Sequence, residues 1–275
     1  MATIAGKFGL RDARADALSG TPRAHAIDRW IFVFMAAWYI AIVLAGFIPD
    51  SIMKVGMVQA GARPPFPAVL HMHAVLMGSF LLILLAQTWL MATGRKAMHM
   101  QLGLLGMAVG GLLIIVGFIL APTMYHQTWN GLQIAPPAAQ EKLRQLLTMQ
   151  ENILLLQGRI GIVFPVLLAI GLKARGANAG MHKRMMILAP GIAIEAGIAR
   201  IGWLPTTMPA SPIAMDFYLL LAASPMIVWD IVRNRRVHEA YWIAAAIIVP
   251  LSILIELAWD KPWWHVAAKQ IMGVG

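Results

Sequence analysis

The chain has no cysteine, and only 12% of its 275 residues are charged. The absence of cysteine excludes disulfide bonds, thiolate zinc sites, cysteine-ligated iron–sulfur clusters and thiol nucleophiles. Any bound metal or cofactor must therefore depend on His, Met, Tyr or carboxylate side chains. The shortage of charge is matched by a hydrophobic content of 60%. This balance is typical of a chain that lies in lipid rather than of a soluble domain.

The formal net charge of +10 does not predict a nucleic-acid partner. Binding to nucleic acid needs a basic patch on a polar surface. Here the basic residues stand in short groups between apolar runs, as the orientation signals of membrane proteins do. The basic N-terminal segment, residues 1–29, lacks the compact apolar core of a cleaved signal peptide. We therefore expect the first apolar run to act as the membrane signal.

Apolar runs long enough to cross a hydrocarbon core as helices, which takes about 20 residues, recur along the chain. The predicted spans are 30–48, 68–91, 102–120, 153–172, 185–204, 213–232 and 240–258. The sequence thus predicts an all-α polytopic membrane helix bundle of about seven transmembrane helices over residues 30–260. An outer loop, 121–152, is expected to hold an amphipathic helix, and residues 261–275 are expected to form an outer tail.

The distribution of Lys and Arg predicts the orientation of these spans. Segments on the side of the N-terminus hold 14 of these residues, and segments on the opposite side hold six. Because cytoplasmic loops carry the excess of positive charge, we expect a cytoplasmic N-terminus and a C-terminus outside. The expected location is a cell membrane of the bacterial inner-membrane type, with the lipid bilayer as the first partner.

One layer of polar residues is predicted near the cytoplasmic surface. His99, His182 and His238 each stand at the cytoplasmic start of an odd-numbered span, and Asp230 lies about one turn inside span six. These four residues share a depth, so they form a candidate metal site, and His99 with His182 also forms a candidate cofactor site. The alternative is an interfacial role, in which the histidines face lipid phosphates and Asp230 pairs with a nearby Arg.

A second layer is predicted in the outer half of the bundle. His71 and His73 begin span two and point about 200° apart on an ideal helix, so only one of them can face a given site. His73 shares a polar face with Gln87 and is the better cofactor ligand. Four charged residues are expected to be buried inside or at the ends of spans: Arg159, Glu195, Arg200 and Asp216. Charges at this depth indicate a binding or proton-coupling site, although ion pairs that hold helices together are the alternative.

Methionine and glycine leave further alternatives open. The 19 methionines include those beside His71, His73 and His99, and copper accepts such soft ligands. Methionine is also a common apolar filler. The small residues of spans three and five favour close helix packing, and they could equally leave room for a planar cofactor.

Three blocks of sequence resemble a group of bacterial multi-span membrane proteins that brings no established activity with it. The first runs from His71-Met72-His73 through Gln87 to His99 and Gly103. The second is His182-Lys183-Arg184-Met185-Met186 with Arg200, and the third is Asp230 with Arg236-Val237-His238. The resemblance covers roughly residues 67–240.

His73-Ala-Val-Leu-Met77, followed by an apolar span, a basic loop and His99, is similar to the start of cytochrome b561-type membrane proteins. That similarity implies haem b held by pairs of histidines near the two ends of a helix bundle. Bis-His ligation needs two histidines for each haem. His99 and His182 are suited to pair on the inner side. For His73 the substitutes are His126 and His265, which lie outside the spans, so one haem is better supported than two.

These observations favour a redox membrane protein with His-ligated haem b or another metal, served by a redox partner. A membrane-embedded zinc hydrolase that acts on lipid is an alternative, in which His99, His182, His238 and Asp230 hold the metal. A transporter or sensor of a small molecule, built on Arg159, Glu195 and Arg200, is another. The sequence does not decide whether the protein is an enzyme.

Overall fold

The computed structural model describes Leu18 and residues 25–275. Within these residues the chain folds into nine α-helices: α1 Ala26–Gln59, α2 Ala68–Ala92, α3 Lys96–Ile134, α4 Pro137–Ala174, α5 Ala179–Ala193, α6 Glu195–Ile198, α7 Ile213–Asn234, α8 Glu239–Ala258 and α9 Pro262–Ile271. The predicted basic segment 1–29 lies outside the described residues except for Leu18 and residues 25–29.

In the described part of the chain, six helices are long and apolar enough to cross a membrane: α1, α2, α3, α4, α7 and α8. Their outward faces carry large apolar side chains that are more than half exposed, such as Leu104, Phe118 and Phe217. In lipid such faces need no polar cover, because the hydrocarbon solvates them. The fold is therefore compatible with a multi-pass membrane protein, and the predicted all-α class is confirmed.

Contacts between helix ends show that α2 and α7 both run antiparallel to α1. At one end of the bundle, Trp30 of α1 packs on Trp89 of α2 with ring centroids 5.1 Å apart, and Trp229 of α7 donates a hydrogen bond to Asp28 of α1. We call this the inner end, and it also holds the turns at 93–95, 175–178 and 235–238. We call the opposite end, with the turn at 135–136, the outer end.

The predicted outer loop 121–152 is almost entirely helical, which corrects the sequence prediction. The α3 helix has 39 residues and α4 has 38, so each is about 57–58 Å long, well beyond a hydrocarbon core of about 30 Å. Only Ala135 and Pro136 separate them, because Pro137 suits the first position of a helix. Hydropathy marks where a helix leaves the apolar zone, and it does not mark where the helix ends.

The predicted outer tail 261–275 also contains a helix, α9. Trp264 of α9 donates its indole N–H to the backbone carbonyl of Glu151 in α4 at 2.8 Å. A small apolar cluster that includes Tyr125, Leu147 and Met272 lies between α9 and the outer parts of α3 and α4. The C-terminal residues therefore dock on the outer end of the two longest helices.

The predicted fifth span, 185–204, is not one long helix. The α5 helix begins earlier, at Ala179, and ends at Ala193, three residues after Pro190, which lacks a backbone N–H. A turn at Ile194 leads into the four residues of α6, and irregular backbone follows. Arg184 of α5 contacts Asp230 near the C-terminus of α7. Glu195 of α6 shares its partner Arg159 with Asp216, which lies in the first turn of α7. This interrupted segment therefore runs antiparallel to α7 from the inner end into the outer half.

The core forms where α1, α4, α5 and α7 meet. Met35, Tyr39, Leu167, Met185 and Met226 are all inaccessible there. The closest helix approach is between α1 and α6, where a Cβ added to Gly46 would lie 2.0 Å from the carbonyl oxygen of Gly197. Only glycine fits at position 46, and the contact holds the interrupted segment against α1.

Candidate functional site: a histidine pair and a buried charge cluster

His99 is placed by a tight turn between α2 and α3. Gly94 adopts a φ of 76°, and the backbone N–H groups of Gly94 and Arg95 bond the carbonyls of Met91 and Leu90. This is the Schellman arrangement, in which a left-handed glycine ends a helix. The new helix starts at Lys96 and carries His99 back against α2, where its Nδ1 lies 3.4 Å from the backbone oxygen of Gln87.

His182 is placed by the cap of α5. The side chain of Asn178 accepts a hydrogen bond from the backbone N–H of Met181 at 2.8 Å, which satisfies one of the free donors of the first turn. His182 then lies one turn into α5, and its Nδ1 is 2.8 Å from the backbone oxygen of Gly171. Gly171 is in the last turn of α4, where carbonyls lack partners within the helix.

The two rings lie next to each other between α3 and α5 in an edge-on arrangement. Their centroids are 6.4 Å apart and their planes are at 86°. A carbonyl oxygen only accepts hydrogen bonds, so these contacts favour the tautomer in which Nδ1 carries the proton and Nε2 of the neutral ring keeps its lone pair. Two histidines that are oriented in this way by hydrogen bonds on the other nitrogen are a typical metal-ligand arrangement.

The spacing of the pair suits one metal ion between two imidazoles. Two imidazoles on opposite sides of one metal ion, each with a nitrogen about 2.0–2.1 Å from it, have ring centroids roughly 6–6.5 Å apart, and the observed centroids are 6.4 Å apart. Basic residues border the pair at the inner end: Arg95 and Lys96 at the start of α3, and Lys173 and Arg175 at the end of α4. Two imidazoles and neighbouring cations are also the kinds of group that hold the iron and the propionates of a haem b.

The predicted four-residue metal site is not assembled. Asp230 accepts two hydrogen bonds from Arg184, at 2.5 and 2.8 Å, and both side chains are inaccessible. His238 acts as the N-cap of α8, where its Nδ1 accepts from the backbone N–H of Ala240. Among residues 25–275 and Leu18, no group of three or more His, Asp or Glu side chains is arranged to hold a metal ion. A buried carboxylate beside a guanidinium forms a bidentate ion pair in preference to joining the histidines.

His73 is half-buried in the outer half of α2, and its Nδ1 is buried without a hydrogen-bond partner. Gln87 faces Gly103 and Phe80 faces Gly110. The register of α2 on α3 therefore puts His73 level with about residue 117. His126 is nine residues further along α3, roughly 13 Å away, so it does not complete a pair with His73. His265 is bound to Glu151 at 2.7 Å and does not complete one either.

The glycines of α3 serve helix packing. A Cβ on Gly103, Gly106 or Gly110 would press on side chains of α2 at 3.2–3.3 Å, including Gln87, Ile83 and Phe80. The sequence left open whether these residues pack helices or make room for a planar group. At these three positions the neighbouring helix occupies the space.

Three of the four predicted buried charges do meet. Arg159 of α4 donates to Glu195 of α6 at 2.7 Å and to Asp216 of α7, and it also donates to the hydroxyl of Ser252 at 2.7 Å. Ser252 in turn donates to Asp216 at 2.9 Å. Arg159 is 2% exposed and Glu195 is 3% exposed. This cluster joins four helices in the outer half of the bundle.

The fourth predicted charge, Arg200, lies apart from the cluster, which corrects the proposed grouping of Arg159, Glu195 and Arg200. Arg200 donates to Asp50 of α1 at 3.2 Å and stacks on the Phe47 ring at 4.4 Å. Arg200 stands five residues after Glu195, beyond the last turn of α6. It is therefore turned toward α1.

A polar group at the outer end was not predicted. His265 of α9 contacts Glu151 at 2.7 Å and Asp260 at 3.2 Å, and Tyr125 donates to Glu151 at 2.9 Å. The only sequence signal for this group is the acid Glu151 within the predicted amphipathic helix, where an acid is also expected on the polar face. Ser252 was missed as well, because a single serine in an apolar run is unremarkable. In comparisons with protein-family models, curated proteins and solved structures, no match to this chain was found.

Proposed function

We propose that the protein is an electron-transfer membrane protein that binds one haem b through His99 and His182. The observation that carries this proposal is the pair of adjacent His99 and His182 rings, whose centroids are 6.4 Å apart and whose Nδ1 atoms each contact a backbone oxygen. Haem b held in this way accepts and gives one electron without exchanging ligands. The partial similarity to cytochrome b561-type proteins supports the same conclusion.

The chain's own residues would do three things at this site. The carbonyls of Gln87 and Gly171 hold the rings in the tautomer that presents Nε2. The cations Arg95, Lys96 and Arg175 neutralise anionic groups at the inner surface. The apolar side chains of α3 and α5 exclude water, which lowers the local dielectric and raises the influence of each nearby charge on the reduction potential.

The topology that we propose has seven crossings, with the fifth made by α5 and α6 together. With the orientation that the distribution of Lys and Arg predicts, the N-terminus and the histidine pair are then cytoplasmic and the C-terminus is outside. An interrupted helix is tolerated at membrane depth where protein surrounds it, and here α1 and α7 pack on α6 while Arg159 of α4 contacts Glu195. The electron donor or acceptor would then approach from the cytoplasmic side.

The test is an absorption spectrum of the detergent-purified full-length protein, taken oxidised and after reduction with dithionite. We expect the reduced-minus-oxidised spectrum of a b-type haem in the wild type. His99→Ala and His182→Ala should each abolish it. His71→Ala is the matched control, because His71 is an exposed histidine whose ring contacts Phe66 on the surface. Size-exclusion chromatography and circular dichroism check that each variant is folded.

A different set of results would contradict the proposal. A spectrum that is kept in His99→Ala and His182→Ala but lost in His73→Ala would move the haem to the outer half. A folded protein, expressed with ample haem, that has no haem band would remove the function altogether. The zinc hydrolase hypothesis is not carried forward, because His99, His182, His238 and Asp230 do not form one group in the described part of the chain.

A further inference from the structure

The buried cluster around Arg159 carries an excess of negative charge. One guanidinium stands against two carboxyl groups, Glu195 and Asp216. With all three ionised, the cluster has a net charge of −1 in a region where Arg159 and Glu195 are almost fully buried. An uncompensated charge at such depth is strongly disfavoured, so the cluster needs one more positive charge.

The hydrogen bonds show which carboxyl group is incomplete. Asp216 Oδ1 accepts from both Arg159 and Ser252. Glu195 Oε2 accepts from Arg159, but Glu195 Oε1 is buried and has no hydrogen-bond partner. A buried carboxylate oxygen without a donor is costly, and a carboxylic acid O–H at that atom removes the charge.

A proton suits this place better than a metal cation does. Hard cations require several oxygen ligands, and the guanidinium of Arg159 would repel a cation held beside it. A proton needs only the one free oxygen. Glu195 also stands where the fifth segment is interrupted, a position at which membrane proteins place coupling-ion sites.

The cluster is connected to the outer end. The side chain of Asp216 is 29% exposed, whereas that of Glu195 is 3% exposed. Asp216 is in the first turn of α7, close to the irregular segment that follows α6. Asp216 is therefore the contact between the buried cluster and the outer end.

We propose that Glu195 is a proton-binding site that exchanges protons with the outer side through Asp216. A proton from water first joins a carboxylate oxygen of Asp216. That O–H bond then breaks as the proton joins Oε1 of Glu195, so one new O–H bond remains and the net charge of the cluster changes from −1 to 0. On release the same O–H bond breaks and the proton returns to water. No electron is transferred, and the site does not depend on the haem proposed at the inner end.

The titratable and charged groups around Glu195 come from several neighbouring elements. Two of them belong to the cluster, Arg159 from α4 and Asp216 from α7. The others have partners or burial of their own. On α1, Tyr39 is buried beside Gly191, and Asp50 pairs with Lys54 and with Arg200, which follows α6. On α8, Glu256 accepts a hydrogen bond from Ser211. None of these is bonded to Oε1 of Glu195, so the charge of the cluster is set by its own three members.

The test is infrared spectroscopy of the purified full-length protein across a pH series. We expect the carbonyl stretch of one protonated carboxyl group per chain at neutral pH, which shifts in deuterated water and disappears at alkaline pH. The wild type alone decides the first point. A wild type without such a band would overturn the proposal, whatever the variants do.

Variants identify the group. Glu195→Gln should lose the band, and Asp216→Asn should lose it too, because one carboxylate then balances Arg159 and Glu195 ionises. Glu141→Gln, which alters an exposed carboxyl group on α4, should keep it. A band that persists in folded Glu195→Gln would overturn the proposal. Stabilisation by sodium ions that Glu195→Gln abolishes, without an acid band, would assign a metal cation instead and would also overturn it.

Discussion

The backbone oxygen of Gly171, in the last turn of α4, lies 2.8 Å from Nδ1 of His182 on the next helix. The same glycine permits close packing, because a Cβ added there would lie 3.0 Å from the Cβ of Met185 and 3.3 Å from the sulfur of Met186. One residue thus sets both the approach of α4 to α5 and the orientation of the His182 ring.

We expect Gly171→Ala to disturb both the packing of α4 on α5 and the orientation of the His182 ring. The added methyl group pushes against the Cβ of Met185, which cannot rotate away, so the free energy of unfolding should fall by about 1–3 kcal/mol. Haem content should fall with it, because the carbonyl that orients His182 moves. The measurement is chemical denaturation in detergent together with the haem-to-protein ratio.

Gly158→Ala is the control on the same helix, since a Cβ there meets nothing within 4 Å. It should leave the stability unchanged or raise it by up to about 1 kcal/mol, because alanine is the better helix former. An equal decrease in the free energy of unfolding in the two variants would show that the contact of Gly171 with α5 does not contribute specifically to stability.

Asp230→Asn should be among the most destabilising single changes. It leaves the fully buried guanidinium of Arg184 without a counter-charge, which typically costs about 3–5 kcal/mol. Asp50→Asn is the matched control, because Asp50 pairs with Arg200 and Lys54 at a partly exposed place, where such pairs contribute about 0–1 kcal/mol. Thermal unfolding of the two variants compares them.

The same pair of variants tests the role of Asp230. If Asp230 only supports the fold, those Asp230→Asn molecules that do fold should show the wild-type haem spectrum. A changed spectrum in folded protein would return Asp230 to the ligand set that the sequence suggested.

Gly46→Ala should separate α1 from α6. The new Cβ would overlap the carbonyl oxygen of Gly197, and backbone atoms do not yield as a flexible side chain does. We expect little folded protein from this variant in a fluorescence-detected chromatography assay. Gly56→Ala, on the same helix with open space around it, should behave as the wild type. Wild-type yields from Gly46→Ala would contradict the close contact between the two helices.

His265→Ala should loosen α9 from the outer end of the bundle. The change removes the contacts of the ring with Glu151 and Asp260, and hydrogen bonds to charged groups are typically worth about 1.5–3 kcal/mol. Backbone amides of 263–271 should therefore exchange faster with deuterated solvent, while those of α1 stay unchanged. Gln270→Ala, an exposed change on the same helix, is the control. Unchanged exchange in His265→Ala would show that the indole of Trp264 and the apolar cluster hold α9 without it.

Much of the fold follows from hydropathy, because long apolar runs in lipid have few alternatives to a helix. The run predicted at 68–91 agrees with α2, Ala68–Ala92, and the run at 213–232 agrees with α7, Ile213–Asn234. The extra length of α3 and α4 was not predictable in this way, since a helix outside the apolar zone is held by packing against α9 rather than by its own apolar content.

The interruption of the fifth segment was also missed. Its average hydropathy resembles that of a continuous span, and the close contact of Gly46 with Gly197 that accompanies the break involves residues about 150 positions apart. Arg184 shows the same limit. It stands in a basic group, His182-Lys183-Arg184, that counts as a loop signal, yet its side chain turns inward to Asp230.

The sequence predicted the depth of the candidate site residues better than it predicted which residues make up each site. Placing His99 and His182 at one depth predicted the pair that the fold brings together, and Arg159, Glu195 and Asp216 were expected to be buried. What depth alone does not give is direction around the helix axis. His238, Asp230 and Arg200 lie near the predicted sites along the axis, but they turn to other partners.

The most direct test of the account is the number of haem groups bound by each chain, measured by quantitative haem extraction from purified wild-type protein. If His99 and His182 hold the cofactor, we expect one haem b per chain, and none in a variant that combines His99→Ala with His182→Ala. Two haems per chain, or one haem that survives the loss of both histidines, would contradict the assignment of the cofactor to His99 and His182.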